Sequence, residues 1–526
     1  MPNKVQHGKR YYKQMALEVA VRNPERYEAI LRTFAKFEGE KLSDENILDI
    51  YAQLYIDGVV ISNDIIDIDY VTHHEIKTWI AKTRTHNNEW GYPTGYQAAF
   101  VRYLKTLSEF GFIYSQYQDY LLLSPVAKAL LNRQITLSEA FAVQSMRHWR
   151  KSPYRRVLND FNYFDFFMSA LKEYAPKKIS YPQFMYSLFS DNGDVDDYIS
   201  TIRKVKIGSD EQKAYALVRQ NYDNRPLCAK VSKLQTAFRD YGNTVFRVLQ
   251  LTGFITVSYE GVILLSLNKS RRGLYEALHD LHFVISEEAK EDELTYFQEI
   301  GSFSDELLKI VISNRETAKA EIADYNKKIA GVIKSYNLNK ELTGKYMLGL
   351  CGLTKDKDPF WFIQDPVKFE FFLTIYAYLT FGDKFEYRPN YLSDEEGIPY
   401  SHAPGNMGDI EIYNDSLYWL IEATLIRNKN QQINNETVNL FRHIDAEQVR
   451  DKYLTLVAPY IHDDTKLIFN VATLIRIMQS RKINFSSRAE TTDEFINSIK
   501  EDYFNTLKAN TLGFIAEIKT ILNTIR

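Results

Sequence analysis

Apolar residues first recur at helical spacing at Tyr27, Ile30, Leu31 and Phe34. Asn23-Pro24-Glu25-Arg26 ahead of them reads as an N-cap, a proline at the first helical position and an acid in the first turn. Further on, one pattern occurs twice. A helical run through Leu104 and Leu107 ends at Gly111, and Phe112-Ile113 then enters a strand that Leu121-Leu122-Leu123-Ser124 follows. Phe246 to Leu251, Gly253, Phe254-Ile255 and Val262-Ile263-Leu264-Leu265-Ser266 repeat it. The interval is the same at Gly111/Gly253, Phe112/Phe254, Ile113/Ile255, Leu122/Leu264 and Ser124/Ser266, so the alignment needs no gap. Glycine after a helix supplies the left-handed turn, and two apolar strands then pair across a polar turn. Helix, glycine stop and hairpin are how a winged-helix unit ends, with the helix ahead of the glycine presented to a DNA groove. The same unit also serves in protein interaction modules.

From about 285 to 345 the chain is helical and charged, with a narrow apolar seam at Ile322, Tyr325, Ile329, Val332 and Tyr336. This reads as a connector. The last part, 346–526, changes character. An aromatic stretch, Phe360 to Phe381, reads as a buried helix. A loop with Pro389, Pro399, Pro404 and Gly405 follows, then strands over Asp409–Tyr413 and Leu417–Leu425, a helix from about Asn435 to Ile444, and a buried strand over Leu467–Ala472. The expected organisation is multidomain α+β: winged-helix-like subdomains over 1–145 and 146–284, a helical linker over 285–345, and an α/β domain over 346–526.

Composition narrows the class. Hydrophobic residues make up 45% and charged residues 25%, which is globular rather than disordered. No apolar run approaches the roughly 20 residues of a membrane helix. Two cysteines are too few for a disulfide framework or a cysteine zinc site, and a reducing cytoplasm is the expected location. With 65 basic and 68 acidic residues, net −3, the chain does not coat nucleic acid by bulk charge. A local basic face is still available. Arg147, Arg150, Lys151, Arg155 and Arg156 fall within ten residues that hold no acid, and such a run neutralises phosphates when it is not merely solvated surface. For base edges, the residues to examine are Gln97 and Arg102 in the first helix and Arg239 and Asn243 in the second, because Gln and Asn read adenine and Arg reads guanine.

The chemistry concentrates in the last region. Asp409 opens one strand and Glu422 lies late in the next, with twelve residues between them. A hairpin of that stagger sets both carboxylates at one sheet edge, a hard oxygen site suited to Mg2+. Asp-x(12)-Glu-x-Thr resembles the PD-(D/E)xK nuclease signature, with Thr424 where the lysine usually stands. Glu436 and His443, seven apart on the next helix, project from one face. Glu370 is an acid in an apolar helix and needs a partner or a metal. No Gly-rich phosphate loop appears, so no ATP requirement is expected.

The run from Asp409 through Ile421-Glu422-Ala423-Thr424-Leu425 to Gln432, Glu436 and Arg442-His443 resembles the AlwI/BstNBI-like type IIS restriction and nicking endonucleases. The resemblance implies tandem recognition units, a linker and a C-terminal PD-(D/E)xK-type nuclease domain. It implies a catalytic set of Glu370, Asp409, Glu422, Glu436 and His443, with Mg2+ on Asp409 and Glu422 and Mn2+ as a substitute. It also implies hydrolysis of double-stranded DNA a few base pairs outside a short asymmetric site, either nicking one strand or cutting both. Cutting both strands then requires a second centre, from a homodimer or a separate small nuclease subunit. The alternatives are a winged-helix DNA-binding regulator or replication factor without catalysis, and a purely structural protein-binding chain.

Overall fold

In the computed structural model, both helix–glycine–hairpin stretches form. The structure describes residues 9–60, 71–205, 210–223, 225–229, 231, 233–320, 325–402, 408–426, 432, 450–480 and 484–525. The chain folds as two units, Met1–Glu321 and Ile322–Arg526.

In the first unit, helix α1 (Tyr96–Glu109) runs into Gly111 and then strands β1 (Ile113–Tyr114) and β2 (Leu122–Leu123). Gly111 has φ +66°, and a Cβ there would stand 2.6 Å from Ile300 Cγ2, so both the turn and the packing exclude a larger residue. Ser124 then caps α2 (Pro125–Leu131), accepting a hydrogen bond from the Ala127 N–H. The second copy begins with β3 (Ile179–Ser180) and α3 (Tyr181–Ser187). It continues through α4 (Gly242–Leu251), Gly253, β4 (Ile255–Tyr259) and β5 (Ile263–Leu267). Its sheet has three strands in the order β3-β5-β4.

The gapless alignment of the two copies needs correction. Ile113 pairs with Leu123, but Ile255 pairs with Leu267 rather than Leu265. The partner of Ser124 is therefore Asn268, not Ser266. The Ser124 N–H donates to the Phe112 carbonyl and the Asn268 N–H to the Phe254 carbonyl, and each residue then caps the next helical turn. A shift of two residues is silent in the apolar pattern because strand side chains alternate with period two.

The stretch expected as a connector is shared between the units. Ile285, Ala289, Tyr296 and Ile300 form a core cluster with Trp149, Tyr154 and Phe283 against it. Tyr296 and Ile300 belong to α5 (Glu293–Ile300), which α6 (Asp305–Ala320) follows. In the second unit, α7 (Tyr325–Ser335) buries Ile329 and Val332, and Asn326 Nδ2 donates to the Phe385 carbonyl at 2.9 Å. Of the seam residues, Ile322 lies outside the described residues.

The second unit continues with α8 (Lys340–Leu350) and α9 (Asp365–Phe381). Strands β6 (Glu386–Pro389), β7 (Leu392–Ser393), β8 (Pro399–Ser401), β9 (Ile410–Tyr413) and β10 (Leu417–Ala423) come next. After them come β11 (Asp451–Ala458), α10 (Asp463–Ser480), β12 (Phe485–Thr491), α11 (Thr492–Ser498) and α12 (Tyr503–Ile525). The main sheet is mixed, in the order β12-β11-β10-β9-β6. β10, β11 and β12 run parallel, while β9 is antiparallel to both β10 and β6. Trp419 anchors one face, surrounded by the rings of Phe381, Phe495, Tyr503 and Phe504. Tyr418, Leu420, Leu454, Leu456 and Phe469 make the core on the other.

Two expectations are overturned here. Leu467–Ala472 is not a strand but part of α10. The segment is apolar on two sides, which hides the helical period: Phe469 and Ala472 are buried, while Leu467, Val471, Ile475 and Met478 are 61, 45, 46 and 69% exposed. The stretch read as a loop around Pro389 and Pro399 holds β6, β7 and β8. Pro389 ends a strand at the sheet edge, where a missing N–H costs little. The helix expected from Asn435 to Ile444 lies outside the described residues.

Candidate active site

The β9–β10 register pairs Ile410 with Ile421, which sets Asp409 across from Glu422. The pair closes: the Ala423 N–H donates to Asp409 Oδ2 at 2.8 Å, and a Cβ on Gly408 would lie 3.1 Å from Glu422 Oε1. Glu422 is buried. Burial and the neighbouring Glu422 push the Asp409 carboxyl well above the usual carboxylate range, against the pull of the Ala423 N–H and of His402. Two carboxyl groups, one half-buried and one buried, set across this register do not both ionise without a cation or a shared proton. As an oxygen-only pair they suit a hard divalent ion.

Around the pair, Asn390 caps the end of β6. Its N–H donates to the Asp409 carbonyl at 2.8 Å, and its Nδ2 donates to the Gly408 carbonyl and to Glu411 Oε1 at 2.6 and 2.9 Å. Neither Asn390 nor His402 stands out in the sequence, since an asparagine after a proline is an ordinary turn residue and His402 has no partner at a recognisable spacing. Thr424 is buried, and its hydroxyl accepts from the Ile426 N–H at 3.1 Å. Gln432 is buried too, donating to the Tyr460 carbonyl and accepting from Thr465 Oγ1, both at 2.9 Å. It ties the chain after β10 to the first turn of α10.

Glu370 is buried in α9, and burial, with a smaller contribution from Glu370, pushes the Tyr391 phenol up. Phe381 of the same helix packs on Trp419, so α9 covers that face of the sheet. Among the described residues, no group of three or more His, Cys, Asp and Glu side chains gathers as a metal site. Glu436 and His443 lie outside the described residues.

The basic residues expected on DNA divide sharply. Arg147 and Arg150 are buried and turned inward, which corrects their assignment to phosphate. Arg147 donates to the Glu299 carbonyl at 2.8 Å and to Ser302, and stacks on Phe283. Arg150 donates to the Ser190 carbonyl at 3.2 Å and to the Lys13 carbonyl. Burial lowers both guanidinium groups to about 10. A buried guanidinium must satisfy its donors internally, and these do. Arg155 pairs at 2.8 Å with the fully buried Glu109, and Lys151 lies 3.6 Å from Asp160. Arg156 is exposed. In the pre-glycine helices, Gln97 is buried and Arg102 exposed. Arg239, also exposed, sits in a π-helical turn ahead of α4, and Asn243 accepts a hydrogen bond from the Tyr181 hydroxyl. Gln97 is thus also withdrawn from the groove-reading set, and α4 has no exposed residue at all.

The sequence of the chain is that of a restriction endonuclease. Residues 108–346 and 353–485 match the model of the AlwI restriction endonuclease family, and the chain belongs to that family. Among solved structures it is similar to the small subunit (R.BspD6I2) of the heterodimeric restriction endonuclease R.BspD6I, at 18% identity and a TM-score of 0.26, covering 33% of this chain and 87% of that one. It is also similar to restriction endonuclease FokI bound to DNA, at 12% identity and a TM-score of 0.22, covering 95% and 97% of the two chains. No curated protein matches the chain.

Proposed function

We propose that this chain is a Mg2+-dependent type IIS endonuclease that hydrolyses double-stranded DNA a few base pairs outside a short asymmetric site. The observation that carries this is the Asp409–Glu422 pair: a half-buried and a buried carboxyl group set side by side on adjacent strands, in a family of restriction endonucleases. Asp409 and Glu422 would hold the ion, with Mn2+ able to substitute, and Glu370, Glu436 and His443 complete the catalytic set. When bound, the ion polarises the scissile phosphate and activates a water nucleophile. The Ala423 N–H fixes the Asp409 carboxylate in place, and Glu422, on the neighbouring strand, presents the second carboxylate. The two helix–hairpin units act as winged-helix readers, with the exposed Arg102 and Arg239 toward bases and Lys151 and the exposed Arg156 toward phosphates.

One such centre cuts one strand. The second comes from a second copy of this chain, docked along the exposed stripe Leu467, Val471, Ile475 and Met478 of α10. Spacings of four, four and three place these residues on one helical face, which is self-complementary in an antiparallel pair.

The test is supercoiled plasmid with Mg2+, followed by run-off sequencing of both strands. Breaks at a fixed offset from one short sequence are expected, and random or absent cleavage by folded protein overturns the reading. Ile475→Asp should leave only nicked circles. Nicked circles from the wild type would exclude self-association and point to a separate small subunit.

A further inference from the structure

We infer that Asn390 is a positioning residue of this centre: it fixes the Gly408–Asp409 backbone so that the Asp409 carboxylate stays against Glu422. This rests on the nuclease reading above.

The geometry is specific. Asn390 is 7% exposed and spends both backbone and side-chain donors on the same short segment, at Asp409, Gly408 and Glu411. From the other side, Gly408 is pressed against β10: a Cβ there would come 2.4 Å from Leu420 Cδ1 and 3.1 Å from Glu422 Oε1. The segment is thus clamped between Asn390 and Glu422. A short side chain with two donors is required. Aspartate has the same volume but accepts only, so it would face the Gly408 carbonyl and Glu411 with a further negative charge. Alanine would leave the Gly408 carbonyl without this donor.

Groups that orient metal-binding residues typically cost 10- to 100-fold in metal affinity or activity when removed. Asn390→Ala should therefore raise the Mg2+ concentration for half-maximal cleavage about tenfold or more, with kcat lowered at moderate Mg2+ and partly restored at high Mg2+. KM for DNA and site-specific binding in EDTA should not change. A second readout is independent of turnover. Mg2+ should raise the melting temperature of the wild type, and Asn390→Ala should need about tenfold more Mg2+ for the same rise. Asn390→Asp, of equal volume, should show the larger defect in both. An unchanged Mg2+ requirement in the folded variants, or a lower melting temperature with no change in that requirement, overturns the proposal. The two levels separate cleanly. If the wild type does not cleave, the nuclease reading falls. If it cleaves, Asp409→Ala does not, and the Asn390 variants match the wild type, only the positioning role falls.

Discussion

The two units share one rule for buried charge, and one pair in the second departs from it. In the first, a buried charge meets its opposite or a ring of carbonyls. Glu109 faces Arg155 at 2.8 Å, Glu139 accepts from Arg315 Nε at 2.6 Å, and Arg147 and Arg150 cap backbone carbonyls. In the second, Glu490 follows the same rule, held by Arg488 at 3.1 Å and by the Ser498 and Tyr503 hydroxyls. Asp409 differs: among the described residues its main charged neighbour is another carboxyl group, Glu422, which outweighs the pull of His402. Satisfied buried charges hold a fold together. Two carboxyl groups packed side by side cost stability and persist where chemistry requires them. Charge density alone therefore misleads. The basic run in the first unit is dense but largely structural, while two lone acids in the second form the candidate centre.

Substitutions that neutralise one member of each kind of pair should separate them. Asp409→Asn is expected to abolish cleavage, by 10³-fold or more, equivalent to about 4 kcal/mol in the barrier. Because it relieves repulsion, it should also raise the melting temperature of the metal-free protein. Single-turnover cleavage and a thermal melt check both, and a lower melting temperature would place Asp409 among the structural charges. Arg155→Ala should do the reverse, destabilising the first unit by about 3–5 kcal/mol by leaving Glu109 alone in the interior. Urea unfolding measures this, and a neutral result would mean that Glu109 takes up a proton at little cost.

A smaller effect should come from His148. It is buried against Phe110 and Phe164, and burial lowers its imidazole to about 3. The folded state therefore disfavours the charged ring. Stability is full above the unfolded value of about 6.5 and falls as pH drops from there toward 3, by roughly 1.4 kcal/mol per pH unit. His148→Phe should flatten that slope in urea titrations between pH 7 and 5, and an unchanged slope would assign the acid sensitivity elsewhere. The smallest effect concerns DNA. Arg156→Ala should weaken specific binding less than tenfold and lower the salt slope by about one. Arg147→Ala, turned inward, should leave the salt slope alone and lower the melting temperature.

Much of the local structure was legible. Gly111 and Gly253 mark real helix ends, and Asp409 and Glu422 could be paired from spacing because a hairpin register is a local property. What was not legible depends on partners distant in sequence. Strands β11 and β12 pair in parallel across long connections, and their apolar runs carry no hairpin signal. The helix α10 was misread because an exposed apolar stripe fills in the polar positions that would have shown its period. The inward turn of Arg147 and Arg150 was invisible, since the carbonyls they hold belong to Glu299, Ser190 and Lys13. Asn390 was missed for the same reason: its role exists only once β6 lies beside β9.

The central claim is that Asp409 and Glu422 jointly bind a divalent cation, and calorimetric titration with Mn2+ tests it without DNA or turnover. The wild type should bind the ion, while Asp409→Asn and Glu422→Gln, both folded, should each lose that binding. Equal Mn2+ affinity in the wild type and both variants would contradict the account, because the buried pair would then hold no ion at all.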